Sequence, residues 1–301
     1  MPERYKPMLA AKTDEAKLDK FLKTGKTVMA SAKYDGIRCT VAAGVAYSRS
    51  KKVLANRHLQ KLVSCGMYDG LDGEIIVGPP NLGTTYNTTE RAVKAHDRVE
   101  DFKFYVFDQV ELADKGVPFK ERYAILCEEY QDDPFVTVVP HVELTNLQAV
   151  LDKEVEVLAE GFEGLMVRRS DGLTKFGRST ANEMLLMKIK RDEDTELEVV
   201  GFEEAMHNEN AEFVNELGNI DRSSHKENLT PTGRVGAFLA VWEGKPLKIA
   251  TGKFTHEELE EIWNNQQSYV GQLLKFRYFP HGMKDLPRHP RALGWRDKID
   301  T

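Results

Sequence analysis

The chain has 301 residues, 41% hydrophobic and 30% charged, a balance that excludes a disordered or collagen-like polymer and leaves room for two domains of about 150 residues each. Its formal charge is -6, which as a single number argues against a polyanionic partner. The charge is unevenly spread, however: residues 1–61 carry +9, 62–191 carry -8, 192–274 carry -11 and 275–301 carry +4, and a partner meets a surface rather than a sum.

In chain order, residues 1–12 are charged and interrupted by Pro2 and Pro7, and no apolar run approaches the roughly 18 residues of a membrane span. Neither secretion nor membrane insertion is expected, and the compartment expected is intracellular, the cytoplasm first. Residues 13–24 have an acidic first turn and apolar Ala16, Leu18, Phe21 and Leu22, the pattern of a short amphipathic helix ended by Gly25. Short β-rich runs follow at 28–32, 37–42, 45–48, 75–77 and 104–107, bounded by Gly, Asp or Pro, which predicts antiparallel sheet. A helix is predicted over 145–160 and strands over 165–168 and 184–189. The charge cluster at 191–194 then marks a boundary, giving domains 1–191 and 192–301. The second half offers strands at 196–203, 235–242, 247–251, 272–278 and 292–296, with one helix over 256–269, a composition that suits a small Greek-key barrel of the OB type. Residues 207–233, polar and rich in Asn, Ser and Gly, read as a long loop. Cys39, Cys65 and Cys127 are odd in number and widely spaced, and read as reduced thiols rather than a zinc set or disulfides.

The sharpest motif is Lys33-Tyr34-Asp35-Gly36-Ile37-Arg38. Alone, Asp35-Gly36 is a hairpin turn and Lys33 a solvated strand residue. Other short motifs follow it in order: Ser48-Arg49, Leu71-Asp72-Gly73-Glu74, the run Phe104 to Asp108, the run Glu163 to Arg168, Leu186 to Lys190 with Lys188 and Lys190 on one strand face, and Pro290 to Lys298. This ordered set, reaching from Pro7 to Lys298, resembles the covalent nucleotidyltransferase superfamily, and most closely the small ATP-dependent DNA ligases of viral and phage type.

The resemblance implies an α+β fold: a nucleotidyltransferase domain on antiparallel sheets with flanking helices, followed by an OB-fold barrel. It implies that Lys33 attacks the α-phosphorus of ATP to form lysyl-AMP, with its pKa lowered by nearby cations such as Lys188 and Lys190. Glu74 would hold the ribose or a metal, Phe107 would stack on adenine, and Glu163 would coordinate Mg²⁺. Arg38 and Arg49 would pair with the AMP and with the 5′-phosphate of a nick. Arg291, Arg296, Asp297 and Lys298 would orient the pyrophosphate from a mobile second domain, with 191–194 as hinge. The expected partner is nicked duplex DNA, gripped by the two core domains of a monomer without a membrane, and the phosphate-facing set includes Arg168. Ser31 stands where many relatives carry an acidic residue that reads the adenine amino group. An RNA ligase or a GTP-dependent mRNA capping enzyme of the same superfamily is the alternative, and an inactive OB-containing DNA-binding protein is the reading from another class.

Overall fold

Two hydrophobic cores organise the first 190 residues, each formed where helices cover one face of a five-stranded sheet. The structure is a computed structural model that describes residues 5–189, 191–214, 220–223, 228–280, 283 and 285–296, and the chain divides into the units Met1–Lys190 and Arg191–Thr301. The first unit runs β1 (Ala11–Lys12), α1 (Glu15–Leu22), β2 (Val28–Ala32), β3 (Ile37–Ala42), β4 (Val45–Ser48), α2 (Arg57–Val63), β5 (Leu71–Val77) and α3 (Thr85–Lys94). It continues with β6 (Phe102–Gln109), α4 (Val110–Asp114), α5 (Phe119–Glu129), β7 (Val136–Val138), β8 (Val142–Leu144), α6 (Leu147–Ala159), β9 (Leu165–Arg169) and β10 (Leu186–Ile189).

One sheet has the order β1-β10-β9-β2-β8 and the other β4-β3-β5-β6-β7. In the first, Leu18 and Leu22 of α1 and Val150 and Val157 of α6 pack on Val28, Ala30, Leu165 and Val167. Because strand side chains alternate, Met29, Ser31, Met166, Arg168 and Lys188 turn to the opposite face. In the second, Leu59, Val63, Ala92, Val93 and Leu126 from α2, α3 and α5 pack on Cys39, Val41, Ile75, Phe104 and Val106, which turns Arg38, Asp72 and Glu74 away from that core. Local signals fix the helix starts: Asp14 caps α1 by accepting from Lys17 N, and Asn56 caps α2 through Leu59 N.

The second unit comprises β11 (Glu193–Asn208), β12 (Glu212–Val214), β13 (Ile220–Arg222), β14 (Leu229–Trp242), β15 (Lys245–Ala250), α7 (His256–Asn264), α8 (Gln266–Tyr269), β16 (Leu273–Phe279) and β17 (Arg288–Trp295). Strands β11-β14-β15-β17-β16 close into a barrel around Val199, Phe238, Ile249, Leu274, Phe276 and Ala292. Only the β15–β17 pairing is parallel, and α7 lies between the third and fourth barrel strands in sequence, the OB arrangement. A capping box of Thr255 and Glu258 starts α7.

Two expectations change here. The segment 207–233 is not a plain loop: β11 and β14 extend through it and stay paired as far as Asn208↔Leu229, and β12 pairs with β13 as a small hairpin. Asn208 and Asn210 hold its base by donating side-chain N–H groups to Ser223 O, each at 2.9 Å. The helix expected over 256–269 breaks at Asn265, where the backbone leaves helical geometry. Among the described residues no helix is long and apolar enough to cross a membrane.

Candidate active site

Lys33 follows β2 directly, and its backbone N–H donates to Gly164 O at 2.8 Å, joining the loop 33–36 to the residue that precedes β9. Glu163, next to that glycine and 6% exposed, forms an ion pair with the Lys33 ammonium. Burial pulls the Lys33 pKa down, but the Glu163 carboxylate, followed by Glu74 and Asp35, outweighs it and holds the pKa above the ordinary lysine value. This corrects the expectation of a nucleophile with a lowered pKa: Glu163 against it favours the charged form of Lys33.

Gly36 allows the loop to lie flat on the second sheet. A Cβ there would sit 2.6 Å from both Ile75 O and Ile76 Cγ1, so no other residue fits without moving β5. Tyr34 lies between two aromatic rings, 5.0 Å from both Tyr105 and Phe162.

From the second sheet, Arg38 on β3 is fixed by a two-pronged pair with Asp72 on β5, Nε to Oδ1 at 2.6 Å and Nη2 to Oδ2 at 2.7 Å. Its guanidinium lies 4.6 Å from the centre of the Phe107 ring. Glu74 pairs in register with Arg38 and with Tyr105. Burial pushes its carboxyl up to about 7, although Arg38 and Lys33 pull the other way.

A β-bulge aims the aromatic. In β5–β6 the register runs Asp72↔Asp108 and then Gly73↔Val106, so Phe107 is the extra residue. Val106 faces the core, and the bulge turns both Phe107 and Asp108 to the side of Arg38 and Asp72. Gly73 makes this possible, because a Cβ there would lie 2.3 Å from Tyr105 O.

Lys188 on β10 is in register with Met166, which is in register with Ser31, two residues before Lys33. Lys188 therefore shares the face of the first sheet from which Lys33 emerges, while Lys190 lies outside the described residues. One sheet thus supplies a nucleophile-type amine, a carboxylate and a second lysine. The other supplies an arginine, a carboxylate of raised pKa and an aromatic ring.

Comparison of the sequence with known families bears on this constellation. Residues 7–190 match the family described as ATP dependent DNA ligase domain, and residues 230–296 match the family described as DNA ligase OB-like domain. The chain belongs to the ATP-dependent DNA ligase family. Among solved structures it is similar to Chlorella virus DNA ligase-adenylate, with 28% identity, a TM-score of 0.54, and coverage of 98% of this chain and 99% of that one. A Lig E DNA ligase shares the fold at 21% identity and a TM-score of 0.67, over 96% of this chain and 99% of that one. Comparison with curated proteins gives no match.

The other expected site residues of this ligase family member lie elsewhere in the first unit, in the second unit, or outside the described residues. Arg49 is exposed in the turn after β4. Arg291 lies on β17 in register with Arg277, and Arg296, just beyond β17, is ion-paired with Glu196. Asp297 and Lys298 lie outside the described residues. Arg168 is a correction: it is 3% exposed and bonded to Asp108, so it does not present its charge to DNA phosphates at the surface. Sequence reasoning quoted Asp72 and Asp108 without giving them a role, and missed Arg122 altogether. The signal for Arg122 was present, since it sits on the apolar stripe of α5 between Phe119 and Leu126.

Proposed function

We propose that the protein seals 5′-phosphate/3′-hydroxyl nicks in duplex DNA through a lysyl-AMP on Lys33. The observation that carries this reading is the part-buried Lys33–Glu163 pair, with Glu74 near enough to act on the Lys33 charge and Arg38 set between Glu74 and the Phe107 ring. The family match and the likeness to a ligase-adenylate of a virus support it.

In the first step the Lys33 amine attacks the α-phosphorus of ATP, the bond to the bridging oxygen of pyrophosphate breaks, and the amine proton is lost. Lys33 must first give up the proton that Glu163 holds on it. Once Glu163 is engaged elsewhere, burial favours the neutral amine. The donor set fits a hard divalent ion: Glu163 offers carboxylate oxygens directly beside Lys33. That suits Mg²⁺ held by one carboxylate, Glu163, with the nucleotide phosphates. Bound there, Mg²⁺ would neutralise charge on the phosphates and on the departing pyrophosphate.

Phe107 would offer the adenine a stacking face and Glu74 would accept from the ribose. Lys188, on the Lys33 face, would stabilise the phosphate oxygens during in-line displacement. In the second step a 5′-phosphate oxygen attacks the AMP phosphorus, the P–N bond breaks, and Lys33 regains a proton. In the third the 3′-hydroxyl attacks the 5′-phosphorus and AMP leaves. Arg49 would bind the nick phosphate, and Arg291 and Arg296 would serve the pyrophosphate.

The test is nick sealing on DNA/DNA, DNA/RNA and RNA/RNA duplexes with α-labelled ATP or GTP and Mg²⁺. Label transfer from ATP alone and sealing of a nicked DNA duplex are expected. Labelling by GTP alone, or joining of RNA ends but not DNA nicks, would assign the chain to the capping or RNA-ligase branch instead.

A further inference from the structure

The two sheets that share the site are tied by a buried ionic cluster that no step above uses. Asp108 on β6 is 1% exposed, and its carboxylate accepts from Arg122 Nε at 2.8 Å, Arg122 Nη2 at 3.1 Å, Thr174 Oγ1 at 3.1 Å and Gln109 N at 2.9 Å. It also accepts from Arg168 Nη1. Arg122 belongs to α5, which packs on the second sheet, and its Nη1 also donates to Val117 O at 2.6 Å. Arg168 belongs to β9 of the first sheet, the strand that follows Glu163 and pairs with β2. The Asp108–Arg168 bond therefore joins the sheet carrying Lys33 and Glu163 to the sheet carrying Arg38, Glu74 and Phe107.

The same guanidinium also holds aromatic faces. Arg168 Cζ lies 4.7 Å from the Phe119 ring centre and 5.4 Å from that of Phe107, whose ring also has Arg38 at 4.6 Å. Phe107 is thus bordered by two arginines, each locked by an aspartate, and those aspartates are direct cross-strand neighbours. A planar cation can stack on rings while keeping its in-plane donors for a carboxylate, and lysine cannot do both. Stability alone does not require this arrangement, since a buried ion pair is often replaceable by apolar packing without loss.

We propose that Arg168 is a positioning residue for nucleotide binding, which fixes the Phe107 ring and its sheet relative to the sheet that carries Lys33. This rests on the reading of Phe107 as the adenine platform. Arg168 acts through Phe107 and touches no reacting atom, so its loss should appear in ATP affinity more than in the chemical step.

The test is ATP-dependent self-adenylylation of the full chain, with KM and kcat measured for Arg168→Lys, Phe107→Leu and the double variant, and thermal midpoints alongside. Arg168→Lys keeps a cation beside Asp108, so it tests the planar contact with less risk to folding than an apolar substitution. The expected result is a KM for ATP raised tenfold or more by either single change, kcat within about threefold of the parent, and a double variant no worse than Phe107→Leu alone. Should Arg168→Lys leave KM unchanged, or multiply with Phe107→Leu, the positioning role is wrong while the platform stands. If Phe107→Leu itself leaves KM unchanged, the platform reading fails instead. The thermal midpoint separates the two roles: a lowered midpoint of Arg168→Lys with the parental KM would mean a merely structural role.

Discussion

At the residue scale the site is governed by how buried charges are paired. Burial alone would push the Asp108 carboxyl up, but the Arg168 and Arg122 guanidiniums outweigh it and hold it well below the usual carboxylate range. His141 sits beside this cluster, stacked edge-on against Phe119 and Tyr123, with Nδ1 against Val139 O at 2.7 Å. Burial first, and the Arg168 charge second, lower its pKa to about 3. The sign follows from linkage: below about pH 6.5 the unfolded chain protonates this histidine while the folded chain does not. The stability His141 confers is therefore complete above pH 6.5 and is lost as pH falls toward 3. His141→Gln should flatten the acid limb, with the parent losing roughly 3 kcal/mol more than the variant between pH 7 and pH 4. Thermal or urea unfolding at the two pH values checks this, and parallel losses in the two proteins would remove His141 from the account. Lys33, Arg38 and Glu163 could be picked out in the sequence as candidates because they sit in short contiguous motifs. Asp108 and Arg168 could not be assigned correctly, since a bulge and a sheet-to-sheet contact decide where they point.

At the element scale the strands and their turns carry the placement of the site. The apolar runs of β2, β3 and β4 had the boundaries their sequences predicted, because Gly and Asp punctuate them sharply. Helices α2, α3, α4 and α5 escaped notice, being short and mixing polar residues such as Thr89 and Arg122 into their buried faces. The edge strands β7 and β8 have three residues each and leave almost no periodic signal. In the second unit the β11–β14 ribbon outran its prediction because paired polar residues hold it where composition suggests a loop. The loop 33–36 yields the prediction proper to this scale. Gly36→Ala would drive a methyl against the Ile75 carbonyl, a backbone atom that cannot rotate away. We expect a loss of about 1–3 kcal/mol in stability, and adenylylation slowed by roughly 100-fold from a displacement of Lys33 near 1 Å. Thermal melts and the rate of AMP-adduct formation measure the two effects. A variant that keeps the parental adenylylation rate would contradict the close packing of this loop.

At the scale of the whole molecule, the net charge of -6 is a poor guide to partner. Part of the basic charge near the amino terminus is paired within the fold, Lys33–Glu163 and Arg38–Asp72 largely buried and Lys23–Asp19 and Lys26–Asp171 at the surface. The acidic middle, in turn, holds Arg122 and Arg168 in its core. The charge that DNA would meet is therefore a property of the folded surface, and neither the total nor the segment sums express it. In the proposed reaction one nucleotide site would serve all three transfers, so the central claim concerns a single nitrogen atom. Its most direct measurement is the intact mass of the protein after incubation with ATP and Mg²⁺, with peptide mapping of any adduct and a chase with nicked duplex DNA. The account predicts a gain of one AMP on Lys33, absent in Lys33→Ala and discharged when the nicked duplex is sealed. No adduct on the parent protein, or an AMP carried by any other residue, would contradict it.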